Sequence, residues 1–199
     1  MEDRWSARDA WRPARTSIRG ASQSKRPASL TYAGVVKDVT NQPRHWLDDW
    51  VHGAPLEPPA AWSRPGIALL FNLECAGCVS RAVPWLKRAA VEVGERAVIL
   101  AVHTAYGHRL LPRDAVAPQL ARFASGFARL PFPVALDLDG GWAERHGAEG
   151  TPHWFVWDEQ GALERSVYGS QENALTRLAY VLEGWGVELG SAGEADVSR

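Results

Sequence analysis

No stretch of about 18 consecutive apolar residues, the length a membrane-spanning helix needs, occurs in the 199-residue sequence. Cysteine is scarce. Two residues are too few for a disulfide-stapled small fold, and they cannot complete a four-cysteine zinc site. A surplus of charge is also missing: the formal net charge is −1, so nothing points to nucleic acid or an anionic membrane as the main partner. No internal repeat is visible. No continuous apolar stretch of about 7–15 residues stands near Met1, so no secretory leader is read and the expected location is the cytoplasm. What is present is ordinary globular composition, 46% hydrophobic and 23% charged. The length suits one domain that buries about 70% of its unfolded surface. Ten tryptophans, an unusual number, require burial somewhere.

The small net charge hides an asymmetry. Residues 1–44 hold nine Lys/Arg against four Asp/Glu, and residues 45–199 hold thirteen against nineteen. Residues 1–29 are rich in Arg, Ser, Ala and Pro without apolar periodicity, and read as a mobile basic tail. Residues 30–66 read as a lead-in, with a short strand expected in Leu30–Val39 and one or two helical turns in His45–Val51. In those turns Trp46, Leu47 and Trp50 share a face. Three prolines in Gly53–Pro59 exclude a helix there. Residues 67–186 carry the main domain, and 187–199 form a second tail.

Within 67–186, strands alternate with helices. Ile67–Leu73 is an apolar run too short for an ordinary helix and suits a strand covered on both faces. Val79–Val93 follows with a helical apolar stripe, stopped at Gly94. Ala97–His103 is a second buried strand, and Asp114–Phe127 a helix with Asp114 as N-cap and Pro118 in its first turn. Phe132–Leu136, Gly141–His146 and His153–Trp157 read as strand, short helix and strand. A turn at Asp158–Gly161 leads into a hairpin partner, Ala162–Tyr168, and Asn173–Trp185 closes as a helix. This β-α-β-α-β-α-β-β-α order is an α/β domain with a central mixed sheet flanked by helices.

Both cysteines fall at one strand–helix junction, Cys75-Ala76-Gly77-Cys78. There the unpaired amides and positive dipole end of the helix favour a thiolate at Cys75. Two intervening residues return Cys78 to within disulfide reach. Cys75 is then the exposed attacker and Cys78 the shielded resolving thiol. A pair of inert core cysteines and half of a metal site are the competing readings. The six histidines, His45, His52, His103, His108, His146 and His153, show no paired-ligand spacing to complete one, so neither metal nor cofactor is expected. A peroxidase would need threonine three residues before the reactive cysteine, where Asn72 and Cys75 stand instead. Gly150-Thr151-Pro152 immediately precedes the fourth strand. About 75 residues after the cysteine pair, and before a hairpin and a helix, Pro152 reads as a cis proline.

These features resemble the thioredoxin-like superfamily, and within it the TlpA/ResA-like thiol–disulfide oxidoreductases. The resemblance runs over residues 45–186. Its carriers are Leu70-Phe-Asn-Leu-Glu-Cys-Ala-Gly-Cys78, Val83-Pro-Trp-Leu86, and Gly150-Thr-Pro-His-Trp-Phe-Val-Trp157 with Gly161. It implies a thioredoxin-like fold in which the helix and strand of 114–136 are a TlpA-type insertion. It implies Cys75 as nucleophile, Cys78 as resolving thiol, and Thr151 with cis Pro152 as the place where substrate backbone pairs. Pro84 resembles the proline that kinks the active-site helix. It stands six residues after Cys78, one more than usual, which implies a bulge. Glu74 replaces the tryptophan usual before the first cysteine, and reads either as a proton acceptor or as a solvated junction residue. His153 either tunes Cys75 or points into the core, and the core role is preferred.

The expected activity is reduction of protein disulfides through a mixed disulfide. The partners are a disulfide-containing protein and an upstream thiol reductant. A non-catalytic reading competes: a redox-sensing or interaction module in which the basic tail and Trp46, Trp50 and Trp62 bind a partner.

Overall fold

The computed structural model describes residues 46–105 and 112–189. Among them, one sheet holds β1 (Trp50–His52), β2 (Gly66–Phe71), β3 (Val98–Thr104), β4 (Val134–Asp137), β5 (His153–Trp157) and β6 (Leu163–Tyr168). Their spatial order is β1-β4-β3-β2-β5-β6. β2 is apolar on both faces, and it lies at the sheet centre with every residue buried. It runs parallel to β3, which runs parallel to β4, so each connection must cross over. Helices α1 (Val83–Val93) and α2 (Arg113–Ala121) lie in those crossovers. β5 is antiparallel to β2, and β6 to β5, which makes the sheet mixed as the sequence implies.

Period-two alternation divides the core into two layers. Ile67, Leu69 and Phe71 of β2 pack in one cluster with Trp85 and Leu86 of α1 and Leu178 and Leu182 of α4 (Glu172–Gly184). Ala68 and Leu70 face the other way, into a cluster with Trp62, Trp157 and Trp142 of α3 (Gly141–Arg145). Each fully buried leucine contributes about 2–3 kcal/mol of transfer free energy. Asp137 starts α3 by accepting the Trp142 and Ala143 N–H groups at 2.9 and 3.0 Å, and Thr104 Oγ1 donates to the same carboxylate. The β5–β6 turn is fixed by Asp158 Oδ1, which accepts the N–H groups of Gln160 and Ala162. Gly161 there has φ +79°, and a Cβ would lie 2.6 Å from the Ala60 backbone, so only glycine fits.

The helical turns expected in His45–Val51 are corrected by the structure. Trp50–Val51–His52 is an edge strand antiparallel to β4, and the Leu136 N–H donates to Asp49 O at 2.7 Å. The apolar spacing has another cause. The Trp46 indole lies edge-on to Trp62, Trp142 and Trp157, with centroids 5.9–6.3 Å apart, and its N–H donates to Leu56 O. Trp62 is buried and donates to Glu57 O. Both indoles pack within the domain, Trp62 buried and Trp46 half-buried. At α2 the N-cap is Pro112, not Asp114. Asp114 lies in the first turn, where its charge suits the dipole, and Pro118 lies in the second turn. The expected helix to Phe127 continues beyond α2 as π-helical turns over Arg122–Phe127. The helix expected over Val79–Val93 is realised as π-helical turns over Cys78–Ala82 followed by α1, and the remaining elements fall within two residues of their expected ends, β5 without any shift. The basic tail and the Leu30–Val39 strand lie outside the described residues.

The topology fixes where chemistry can occur. β2 and β3 end at the same edge of the sheet. β5, antiparallel to β2, begins there, with His153 opposite Leu70. The segment after β2 and the segment before β5 therefore meet, and these carry Cys75 and Pro152.

Candidate active site

After β2 the chain makes a short turn before the helix. Asn72 sets it: its Nδ2 donates to Thr104 O at 2.6 Å, and its Oδ1 accepts the Glu74 N–H at 2.7 Å. The second bond is an Asx turn, and Asn72 itself is buried. The Leu73 N–H donates to His103 Nε2 at 3.3 Å, and the Cys75 N–H to Asn72 O at 3.2 Å. Cys75 thus emerges at the first turn of the helix, half-buried, while Cys78 is fully buried. Both are free thiols.

The bulge implied by the position of Pro84 is present: Cys78–Ala82 is π-helical and α1 begins at Val83. The extra residue is absorbed before the proline, so Pro84 lies in the first turn of α1, where its missing N–H costs little. Gly77 has ordinary helical dihedrals, φ −65° and ψ −31°. Its need is for space, since a Cβ would lie 2.8 Å from Ser170 Oγ.

The Cys75 sulfur has a neighbour on each side. It donates to the Thr151 carbonyl at 3.4 Å and accepts the Cys78 N–H at 3.2 Å. The Thr151–Pro152 peptide bond is cis. Thr151 is half-buried. Its hydroxyl makes no hydrogen bond in this dithiol state, yet it lies close enough to Cys78 to favour charge on that sulfur. Burial pushes the Cys78 thiol up to about 12. The Cys75 sulfur adds to the rise, as hydrogen-bond partner and as a like charge. A backbone hydrogen bond from Asn72 and the Thr151 hydroxyl oppose it. When Cys75 is bound to another sulfur, its two contributions vanish and the opposing ones remain.

Glu74 lies exposed at the turn, directly before Cys75. His153 is fully buried and stacks on Phe155 with centroids 4.8 Å apart. Its Nδ1 accepts the Glu149 N–H at 3.1 Å and its Nε2 lies 2.7 Å from Ser166 Oγ. Cys75, Cys78, Thr151 and Pro152 therefore stand together, with Glu74 at the rim and His153 beneath. Asn72 and His103 went unread in the sequence. For Asn72 a signal existed, an Asn two residues before a turn amide. For His103 none did, because its partner is 30 residues away in sequence.

His103 is 3% exposed, edge-on to Phe71, and burial lowers its pKa from 6.5 to about 4. A base held neutral in the folded state is protonated more readily when unfolded. Its contribution is complete above pH 6.5 and is lost as the pH falls toward 4, about 3 kcal/mol in all. His146 and His153, both also lowered chiefly by burial, add with the same sign. The expected result is a urea midpoint that declines across this interval, and more gently in His103→Gln. Equal slopes in the two proteins would contradict it.

Two clefts, of about 410 and 640 Å³, share Trp46 and Arg145, and neither is lined by Cys75, Thr151 or Pro152. Among the described residues no group of three or more His, Cys, Asp or Glu is placed to hold a metal ion. No helix among them is long and apolar enough to cross a membrane.

No protein-family model matches the chain, and no curated protein matches it significantly. Solved structures do. A thiol-disulfide isomerase from Corynebacterium glutamicum superposes with a TM-score of 0.61 at 20% identity, covering 73% of this chain and 93% of that one. The thioredoxin-like superfamily protein SPOA0173 gives 0.56 at 21% identity, over 69% and 92%. A secreted Mycobacterium tuberculosis disulfide oxidoreductase homologous to E. coli DsbE gives 0.52 at 17% identity, over 70% and 95%. The chain has the thioredoxin-like fold. At these identities the likeness carries the fold and no further.

Proposed function

We propose that this protein is a thiol–disulfide oxidoreductase that reduces protein disulfides through Cys75 and Cys78. One observation carries the reading: Cys75 is half-buried with its sulfur between the Thr151 carbonyl and the Cys78 N–H, and the second thiol is fully buried. Structural neighbours described as a thiol-disulfide isomerase and a disulfide oxidoreductase support it.

In the proposed reaction the Cys75 thiolate attacks a substrate disulfide. A Cys75–substrate bond forms, the substrate S–S bond breaks, and the leaving sulfur takes up a proton. Cys78, losing its own proton, then attacks the Cys75 sulfur. The Cys75–Cys78 disulfide forms and the second substrate sulfur leaves as a thiol. Two electrons pass to the substrate, and an upstream thiol reductant restores the dithiol. Thr151 and Pro152 form the edge along which an extended substrate backbone pairs. Glu74, at the rim, is proposed to take up or return the thiol proton.

Withheld charge at Cys78 supports the reducing direction. A dithiol not stabilised as thiolate gives up electrons more readily than one that is. Such a reductant belongs where thiols are kept reduced, and the cytoplasm is the proposed location. The test is insulin disulfide reduction driven by dithiothreitol. The reading expects turnover well above the uncatalysed rate. A rate equal to dithiothreitol alone would favour the sensing or interaction module.

A further inference from the structure

Two histidines occupy matching places on either side of β2. His103 ends its pairing with β3, opposite Phe71, and His153 ends its pairing with β5, opposite Leu70. Each ring lies beneath one of the two segments that meet at Cys75, and each faces a backbone N–H. His103 Nε2 is 3.3 Å from Leu73 N, two residues before Cys75. His153 Nδ1 is 3.1 Å from Glu149 N, two residues before Thr151. A backbone N–H can only donate, so each facing ring nitrogen must be the unprotonated acceptor. The ring protons are thereby assigned to opposite positions. His103 carries its proton on Nδ1. His153 carries it on Nε2, where it donates to Ser166 Oγ at 2.7 Å. Aromatic contacts hold both rings in place, Phe71 edge-on at 5.5 Å and Phe155 stacked at 4.8 Å. Both rings are at most 3% exposed, so water cannot readily replace a lost acceptor.

We propose that His103 and His153 are a pair of positioning residues: as neutral acceptors they fix the Leu73–Cys75 turn and the Glu149–Pro152 segment. Together they hold the Cys75 sulfur against the Thr151 carbonyl. Neither ring touches a reacting atom, and neither transfers a proton in the reaction. The consequence for turnover rests on the redox reading above, and the geometric claim does not.

The experiment has one arm on the unmodified protein and one on variants. Two-bond proton–nitrogen spectra of the reduced protein near neutral pH should show His103 as the Nδ1–H tautomer and His153 as the Nε2–H tautomer. The opposite tautomer at either ring overturns the proposal for that ring, whatever the variants do. The second arm compares His103→Phe and His153→Phe, which keep a ring without an acceptor, with His103→Gln and His153→Asn. The last two place an amide oxygen near the lost nitrogen. Amide exchange at Leu73 should quicken by about tenfold or more in His103→Phe, and at Glu149 in His153→Phe, with substantial recovery in Gln and Asn. In insulin reduction, kcat/KM should fall by about tenfold or more in the Phe variants and return most of the way in the other two. Unchanged exchange at the matching amide overturns the proposal. Changed exchange with unchanged turnover confines the pair to local structure and overturns its part in the reaction. If the unmodified protein shows no turnover, the redox reading fails, while the tautomers and exchange rates still decide the positioning claim.

Discussion

Cys75→Ser is expected to reduce insulin disulfide no faster than dithiothreitol alone, a loss of at least about a thousandfold. The half-buried sulfur at the helix start is the only described thiol that a protein disulfide can approach, because Cys78 is fully buried behind it. A serine oxygen at position 75 still accepts the Cys78 N–H and faces the Thr151 carbonyl, so the local hydrogen bonds survive and the chemistry does not. An unchanged unfolding midpoint alongside the lost rate separates loss of the nucleophile from loss of the fold. Turnover retained to within tenfold would mean that Cys75 is not the attacking group.

Cys78→Ser should give the opposite kinetic signature. The first attack proceeds, and the product of that attack persists. A mixed disulfide on Cys75 should accumulate in one-to-one ratio with protein and last minutes to hours, the timescale of disulfide rearrangement without an internal thiol. In the unmodified protein the same intermediate should escape detection by manual quenching. Cys78 sits one turn behind Cys75, so its attack is intramolecular, and such steps outrun exchange with dilute external thiols by orders of magnitude. Its timing follows from the local electrostatics. In the resting dithiol, burial and the adjacent Cys75 sulfur keep Cys78 protonated. Once Cys75 is bonded to substrate, that neighbour no longer opposes ionisation, while the Asn72 backbone and Thr151 hydroxyl still favour it. In the proposed reaction Cys78 is thereby released to react at the stage when its reaction is productive. Intact-mass analysis of the quenched variant checks this. An adduct that disappears as quickly as in the unmodified protein would remove Cys78 from the resolving role.

The parts of the fold that were legible in the sequence are those whose pattern has a single physical cause. An apolar run such as Ile67–Phe71 has no polar face, so it can only be central, and it is. His153–Trp157 was bounded by a proline before it and an Asp–Gly turn after it, and its ends were read without error. The meeting of Cys75 with Pro152 was implied by the family resemblance, and its physical cause, the antiparallel pairing of β5 with β2, is visible only in the structure. The extra residue before Pro84 showed itself as a π-helical turn.

Where the same pattern had two causes, the reading failed. Trp46, Leu47 and Trp50 fit a helical face, but all three pack in or against the cluster that holds Trp62, Trp142 and Trp157, and Trp46 meets those three indoles edge-on, contacts that only the tertiary fold creates. Nor was the support beneath the site visible. His103 reaches Leu73, and Asn72 reaches Thr104, across neighbouring strands that lie about 30 residues apart in sequence. Single-residue chemistry can be read along a chain. Partnerships between buried polar groups need the register of the sheet.

The central claim is that Cys75 and Cys78 form one reversible two-electron couple. Its most direct measurement is thiol alkylation followed by intact mass, on protein equilibrated across a series of dithiothreitol or glutathione redox buffers. The account predicts two alkylated cysteines at the reducing end, none at the oxidising end, and a single transition between them without a one-adduct plateau. Two alkylatable thiols at every poise, or oxidation that yields only protein dimers or glutathione adducts, would contradict it.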